Sequence, residues 1–357
     1  MWFDLHSWIG LKLFLFMAFI CLTGTLATLA HEIDWLIQPA IRVQPDGAIR
    51  SWGDQLDAVR HRHPEWKIVR LSAPEGRYFA AKAEAKPPGG RTRFVWVDPW
   101  RAHVTGDTGW FNAHRLLRNT HRHLMMPTRY GVPLVSSLSI ALLLSFASSL
   151  VIYKKWWKGF LSRPRGPQPR RFWGDIHRLA GVWSLGFVLL IALTGLWYLV
   201  ESLGGAAPHA HARPLADAPA NPAPPPGTVI DGRALDRIIA SAKRVWPQLR
   251  IASVALDEKT GTVTLEGQAA AILVRDRVNQ LRYRVGDALP HARIDGTTLS
   301  FHQRVSEMAD PLHFGNFAGL ALKLVWCFFG GLMTLLSFTG VYLYGMRTLH
   351  PPRAAAR

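Results

Sequence analysis

Four stretches of the chain are apolar almost without interruption, from Leu5 to Leu29, Val132 to Tyr153, Ile176 to Val200 and Phe317 to Tyr344. Each is long enough to cross a bilayer as a helix, which takes about 20 residues at a rise of ~1.5 Å. Between them the period changes. SWGDQLDAVRHRHPEW carries Leu56 and Val59 at helical spacing, and the strand-like runs KIVRLSA, RYFAAKAEA and RFVWVDP follow. The second intervening segment repeats that order: DGRALDRIIASAKRVWPQL precedes RIASVALDEKTGTVTLEG, AAILVRD and QLRYRVG. Pro64 and Pro247 close the two helices. PANPAPPPG, by composition, is a linker.

The apolar stretches also echo one another. FDLHSWIGLKL, from Phe3, is answered by GDIHRLAGVWS, from Gly174, which pairs His6 and Gly10 with His177 and Gly181. LTGTL and LTGLW follow at one offset, seventeen residues from His6 to Thr23 and from His177 to Thr194. This predicts a membrane protein with a four-helix transmembrane bundle of two tandem repeats, each carrying a small α+β domain outside. The boundaries are helix 1 at 1–33, outer domain 34–131, helix 2 at 132–160, a basic loop at 161–174 and helix 3 at 175–202. A linker at 203–228, outer domain 229–315, helix 4 at 316–346 and a tail at 347–357 complete the chain. Parallel repeats of this kind imply a pseudo-twofold axis along the membrane normal.

Charge sets the orientation. YKKWWKGFLSRPRGPQPRR has no acid before Asp175, and GMRTLHPPRAAAR is also basic, so both are expected in the cytoplasm. Both termini are then cytoplasmic, and the two long connections are periplasmic, in a multi-pass protein of a bacterial inner membrane. The first stretch has no basic leader and exceeds the apolar length of a cleaved signal, so it is expected to stay as an anchor. Lys12 and Lys323 fall near helix ends, where long side chains reach the headgroups. Trp8, Trp100, Trp110, Trp156, Trp157 and Trp173 read as interface anchors contacting membrane lipid. The net charge of +18 reflects orientation more than nucleic-acid binding, which is not expected. Cys21 and Cys327, the two cysteines, both lie in spans. There is no CxxCH, which excludes covalently attached haem and a cysteine-rich metal site.

An ionisable residue in a membrane span is a functional candidate, and imidazole is the commonest metal ligand. His6 and His177 fall at matching helix ends and can clasp one flat object from opposite sides. His121, in THRHLMMP, and His313, in PLHFGNFAG, form a parallel pair before the second and fourth spans. His31, His123, His114 and His302 are possible substitutes. His61, His63, His103, His209, His211, His291 and His350 read as surface residues. Gly10 and Gly24 are fourteen residues apart, as are Gly181 and Gly195, which returns each pair to nearly one helix face. That spacing permits close approach by a broad macrocycle or by another helix. Over a whole span the two histidine pairs would stand roughly 35 Å apart.

These phrases together, LHxWxGL and IHRLAGVW running into LTG, THRHL, and PLHFGxFAG, resemble the PepSY-associated transmembrane family, and within it the ferric-siderophore reductases of the FoxB type. The resemblance covers nearly the full length. It implies PepSY modules in the outer segments and two haem b groups per chain, with iron held by His6 and His177 and by His121 and His313. It also implies transfer of electrons from a cytoplasmic or quinol donor to a periplasmic ferric-siderophore, an oxidoreductase of iron uptake. No GxGxxG follows a strand, so the donor is external and unidentified. Two other readings are a cofactor-free membrane-anchored PepSY binding or regulatory protein and a membrane site for transition-metal ions.

Overall fold

The computed structural model describes residues 2–215, 225 and 227–349. Parts of the expected linker and most of the tail, with His350, lie outside the described residues. In chain order the elements are α1 (Trp2–Thr28), α2 (Ala30–Ile37), α3 (Trp52–Arg62), β1 (Lys67–Ser72), β2 (Ala81–Lys86), β3 (Arg93–Asp98) and β4 (His103–Gly109). Then come α4 (Ala113–His123), α5 (Thr128–Ser136), α6 (Leu138–Ile152), α7 (Pro169–Val200) and β5 (Arg213–Pro214). The last are α8 (Gly232–Val245), β6 (Arg250–Asp257), β7 (Thr262–Gln268), β8 (Asn279–Arg284), β9 (Ala292–Ile294), α9 (Phe301–Phe314) and α10 (Gly319–Leu349). They form two compact units, one from Met1–Ala30, His114–Ala206 and Leu312–Arg357, the other from His31–Ala113 and Ala207–Pro311.

The first unit is a helix bundle. Among the described residues four of its segments are long and apolar enough to cross a membrane, Gly10–Thr28, Thr128–Ile152, Pro169–Gly205 and Gly319–Thr348. The second is interrupted at Ser137 between α5 and α6, and Pro133 inside α5 removes the backbone donor that would have met the Arg129 carbonyl. Ser137 N–H donates to the Pro133 carbonyl at 2.9 Å and its hydroxyl to Leu134 at 2.7 Å, so the break exposes little backbone. The third is longer than its apolar run, since Pro169 in the first turn has its φ already set for a helix.

Helix α1 runs along α10 and α6, and α7 runs along the same two. Small residues let them approach, as membrane packing requires. The hydroxyls of Ser148, Ser184, Thr23, Thr194 and Thr339 are buried, and each donates to a carbonyl three or four residues back. Lys12 is exposed as expected, whereas Lys323 is only 8% exposed and turns into the protein rather than reaching outward.

The second unit holds a single nine-stranded sheet in the order β4-β3-β2-β1-β6-β7-β8-β9-β5. Both intervening segments of the sequence contribute a helix and strands, and they join through antiparallel β1 and β6, with Leu71 opposite Val254. They are therefore halves of one layer, where the sequence pattern suggested two separate domains. Across the seam Arg70 donates to Glu266 and, at 2.9 Å, to Ser253, whose hydroxyl donates to Glu266 at 2.9 Å. One face of the sheet packs under α3 and α8, and the core between them draws on both segments, including Leu56, Ile68, Val95, Leu235, Leu265 and Tyr283. Burying each such side chain contributes about 1.5–3 kcal/mol.

Helices α3 and α8 make one contact twice, with roles exchanged. Gly53 N–H donates to Asp236 at 2.9 Å, and Gly232 N–H donates to Asp57 at 2.9 Å. A Cβ on either glycine would meet the other's backbone carbonyl. A second core, of Ile41, Val43, Phe94 and Trp96, covers the opposite face of β3. Trp100 belongs to it at 7% exposure, so this tryptophan packs the core of the sheet unit and is no interface anchor. Within the expected linker, β5 pairs with β9.

Candidate functional site

Both His6 and His177 line an open cavity of about 600 Å³ between α1, α6, α7 and α10, within the ~300–1,000 Å³ typical of small-molecule and cofactor sites. Gly10 and Gly181 line it too, and a Cβ on Gly10 would meet nothing within 4 Å. Arg170, Arg178 and Arg347 give the cavity a cationic border, and Arg178 is paired with Asp175.

The ring nitrogens have defined partners. His6 Nδ1 lies 3.0 Å from Ser148 Oγ, and His177 Nδ1 lies 2.7 Å from Thr339 Oγ1. Each histidine thus contacts a hydroxyl on a neighbouring helix.

The other pair comes from α4 and α9 and contacts α1 and α7 further along. His121 Nδ1–H donates to the Ile20 carbonyl of α1 at 2.9 Å, and His313 Nδ1 lies 2.8 Å from Thr194 Oγ1 of α7. The two rings face each other with centroids 6.1 Å apart and planes at 38°. Two imidazoles sharing one metal ion at about 2 Å each hold their centroids roughly 6 Å apart, so this spacing suits a common iron. Gly24 is part of the seat, since a Cβ there would lie 2.6 Å from His121 Cε1. Gly195 instead faces Ser139 of α6, where a Cβ would be 3.2 Å away, and serves the helix contact.

From His6 to Ile20 along α1 is roughly 21 Å, and from His177 to Thr194 along α7 roughly 26 Å, at ~1.5 Å per residue. The pairs are therefore closer than full spans would set them, because His121 and His313 reach back onto α1 and α7.

The remaining candidates are placed elsewhere. His123 ends α4 with its Nδ1 buried and unpartnered, just before the chain reverses through Leu124 and Met125, both at positive φ. His114 stands at the start of α4. His31 lies 3.8 Å from Glu75 in the sheet unit, and His302 is on α9. His63 is stacked on Trp66 at 3.8 Å. Among the described residues, no group of three or more His, Cys, Asp or Glu side chains gathers to hold a metal ion. Sequence reasoning missed Ser148, Thr339 and Thr194 as histidine partners.

The sequence profile of the PepSY-associated TM region matches residues 3–347. The chain belongs to that family. This PepSY-associated chain is also similar to the uncharacterized protein PA4219 of Pseudomonas aeruginosa, 26% identical over 264 residues, which cover 68% of this chain and 66% of the relative. It thus spans just under two thirds of that relative's length.

Proposed function

We propose that the chain is a membrane haem protein that delivers single electrons to a ferric chelate, as a ferric-siderophore reductase does. The observation that carries the reading is the arrangement of four histidines in two pairs, His6 and His177 lining one cavity and His121 and His313 with ring centroids 6.1 Å apart, each with Nδ1 held by an oxygen of the bundle. His6 and His177 would hold one b haem, and His121 and His313 a second. When bound, haem iron exchanges one electron between its ferric and ferrous forms. Gly10 and Gly181 leave room for a flat macrocycle, and Arg170, Arg178 and Arg347 suit its carboxylates.

In this reading the chain lies in the inner membrane of a bacterium with both termini in the cytoplasm. The ferric-siderophore docks on the periplasmic side, and an external donor supplies electrons from the other. Ferrous iron binds hard oxygen chelators more weakly, so reduction releases it. The two halves are tandem repeats, a reading supported by the exchanged Gly53–Asp236 and Gly232–Asp57 bonds and by the matched anchoring of His6 and His177.

Pyridine haemochrome analysis of the purified chain, expressed with ample haem, is expected to give two haems per chain. Dithionite should produce a split bis-histidine b-type spectrum, and a ferric chelate added without oxygen should reoxidise it. A colourless chain overturns the reading and leaves a cofactor-free binding protein. A colourless chain with bound copper or zinc indicates a transition-metal site.

A further inference from the structure

We propose that Ser148, Thr339 and Thr194 are positioning residues that fix the tautomer and ring orientation of His6, His177 and His313, so that each presents Nε2 to iron. The inference rests on the haem reading, but its geometry stands apart from any bound group. A hydroxyl has one proton and two lone pairs. Ser148 Oγ donates to the Ser145 carbonyl at 3.1 Å, Thr339 Oγ1 to Leu335 at 2.8 Å and Thr194 Oγ1 to Leu190 at 2.8 Å.

With its proton kept on its own helix, each hydroxyl accepts from the facing histidine. In that arrangement Nδ1 carries the hydrogen, and Nε2 keeps the lone pair that a metal requires. The residues Ser148, Thr339 and Thr194 are 0%, 3% and 6% exposed, so water has little access to the bond. For His121 the Ile20 carbonyl does the same work, since a carbonyl has no proton to give.

The pattern also links ring orientation to helix packing. His6 of α1 leans on α6, His177 of α7 leans on α10, and His313 leans on α7. Partners of this kind orient ligand imidazoles and raise their basicity, and removing one typically lowers metal affinity ~10–100-fold. A more basic imidazole favours ferric over ferrous iron.

Thr339→Val keeps the side-chain shape and removes the hydroxyl, whereas Thr339→Ser restores it. Thr334→Val is the control, because Thr334 also donates to its own helix, to Gly330 at 3.0 Å, without contacting a histidine. In the purified full chain Thr339→Val is expected to weaken one haem by ~10–100-fold, seen as loss of about one haem per chain on dilution. Its low-spin electron paramagnetic resonance signal should change. A tenfold fall in ferric preference would raise its midpoint by ~59 mV. Thr339→Ser and Thr334→Val should match the parent.

Unchanged haem content, signal and midpoint in Thr339→Val would overturn the proposal, as would failure of Thr339→Ser to restore them. Nitrogen-15 NMR of histidine-labelled, haem-free chain separates this from the parent reading. It is expected to show the Nδ1–H form at His177, lost to a mixture in Thr339→Val. That result in a chain that takes up no haem would reject the haem reading alone, while an Nε2–H form would reject the positioning role.

Discussion

Replacing Gly24 with Ala tests the seat of His121 without touching a proposed ligand. The new Cβ would lie 2.6 Å from Cε1 and 2.9 Å from Nδ1 of His121, whereas carbon atoms pack without repulsion at about 3.5–4.0 Å. The ring must therefore withdraw by about 1 Å. That carries Nδ1 from 2.9 Å to beyond hydrogen-bond reach of the Ile20 carbonyl and disturbs the 6.1 Å spacing from His313. Losing the bond costs about 1 kcal/mol and overpacking about 1–3 kcal/mol, offset by up to about 1 kcal/mol of improved helix propensity. A net loss of about 1–3 kcal/mol is roughly a 5- to 150-fold weaker second site, at ~1.4 kcal/mol per tenfold. Pyridine haemochrome assay of the variant should give about one haem per chain in place of two. Gly186→Ala is the control: it lies in α7, its Cβ meets nothing within 4 Å, and the haem count should not change. A Gly24→Ala chain with two haems and an unaltered spectrum would refute the steric argument.

Alanine in place of His177 or of His313 should each remove about one haem per chain, and the double variant both, by the same assay; unchanged content would reject the pairing. Asp57→Ala and Asp236→Ala should each lower stability by about 1–2 kcal/mol, and by similar amounts because the contact is the same; thermal proteolysis of the full chain reads both. Burial beside Trp66 holds the His63 imidazole below its ordinary range, and its Nε2 is buried and unpartnered. The folded chain then binds fewer protons than the unfolded chain, so this contribution is complete above about pH 6.5 and declines as pH falls from there toward the folded value. His63→Gln should flatten the dependence of Tm on pH between about 7 and 5.

Four apolar stretches were legible because bilayer thickness imposes a length that polar interruption would betray. His6 and His177 were legible because a matched phrase surrounds both. The hydroxyl partners were harder to find, although a signal was present. Thr-Gly occurs in spans at Thr23–Gly24, Thr194–Gly195 and Thr339–Gly340, and the structure sets His121 on Gly24, His313 on Thr194 and His177 on Thr339. Read along one helix, the dipeptide marks the repeat, and its use appears only across two helices. The seam between β1 and β6 was illegible for a related reason, since pairing between strands so distant in sequence leaves no local trace. Trp100 and Lys323 misled because residue type records a preference for an environment, which tertiary packing overrode.

The seam also governs how the chain can assemble. β1 emerges from synthesis long before β6, and until its neighbour arrives it presents unsatisfied amide and carbonyl groups along one side. An early half that folds first therefore carries an open strand edge until the chain has been made through α7 and on to β6. Completion of the sheet is a late checkpoint that only a chain made through both halves can pass.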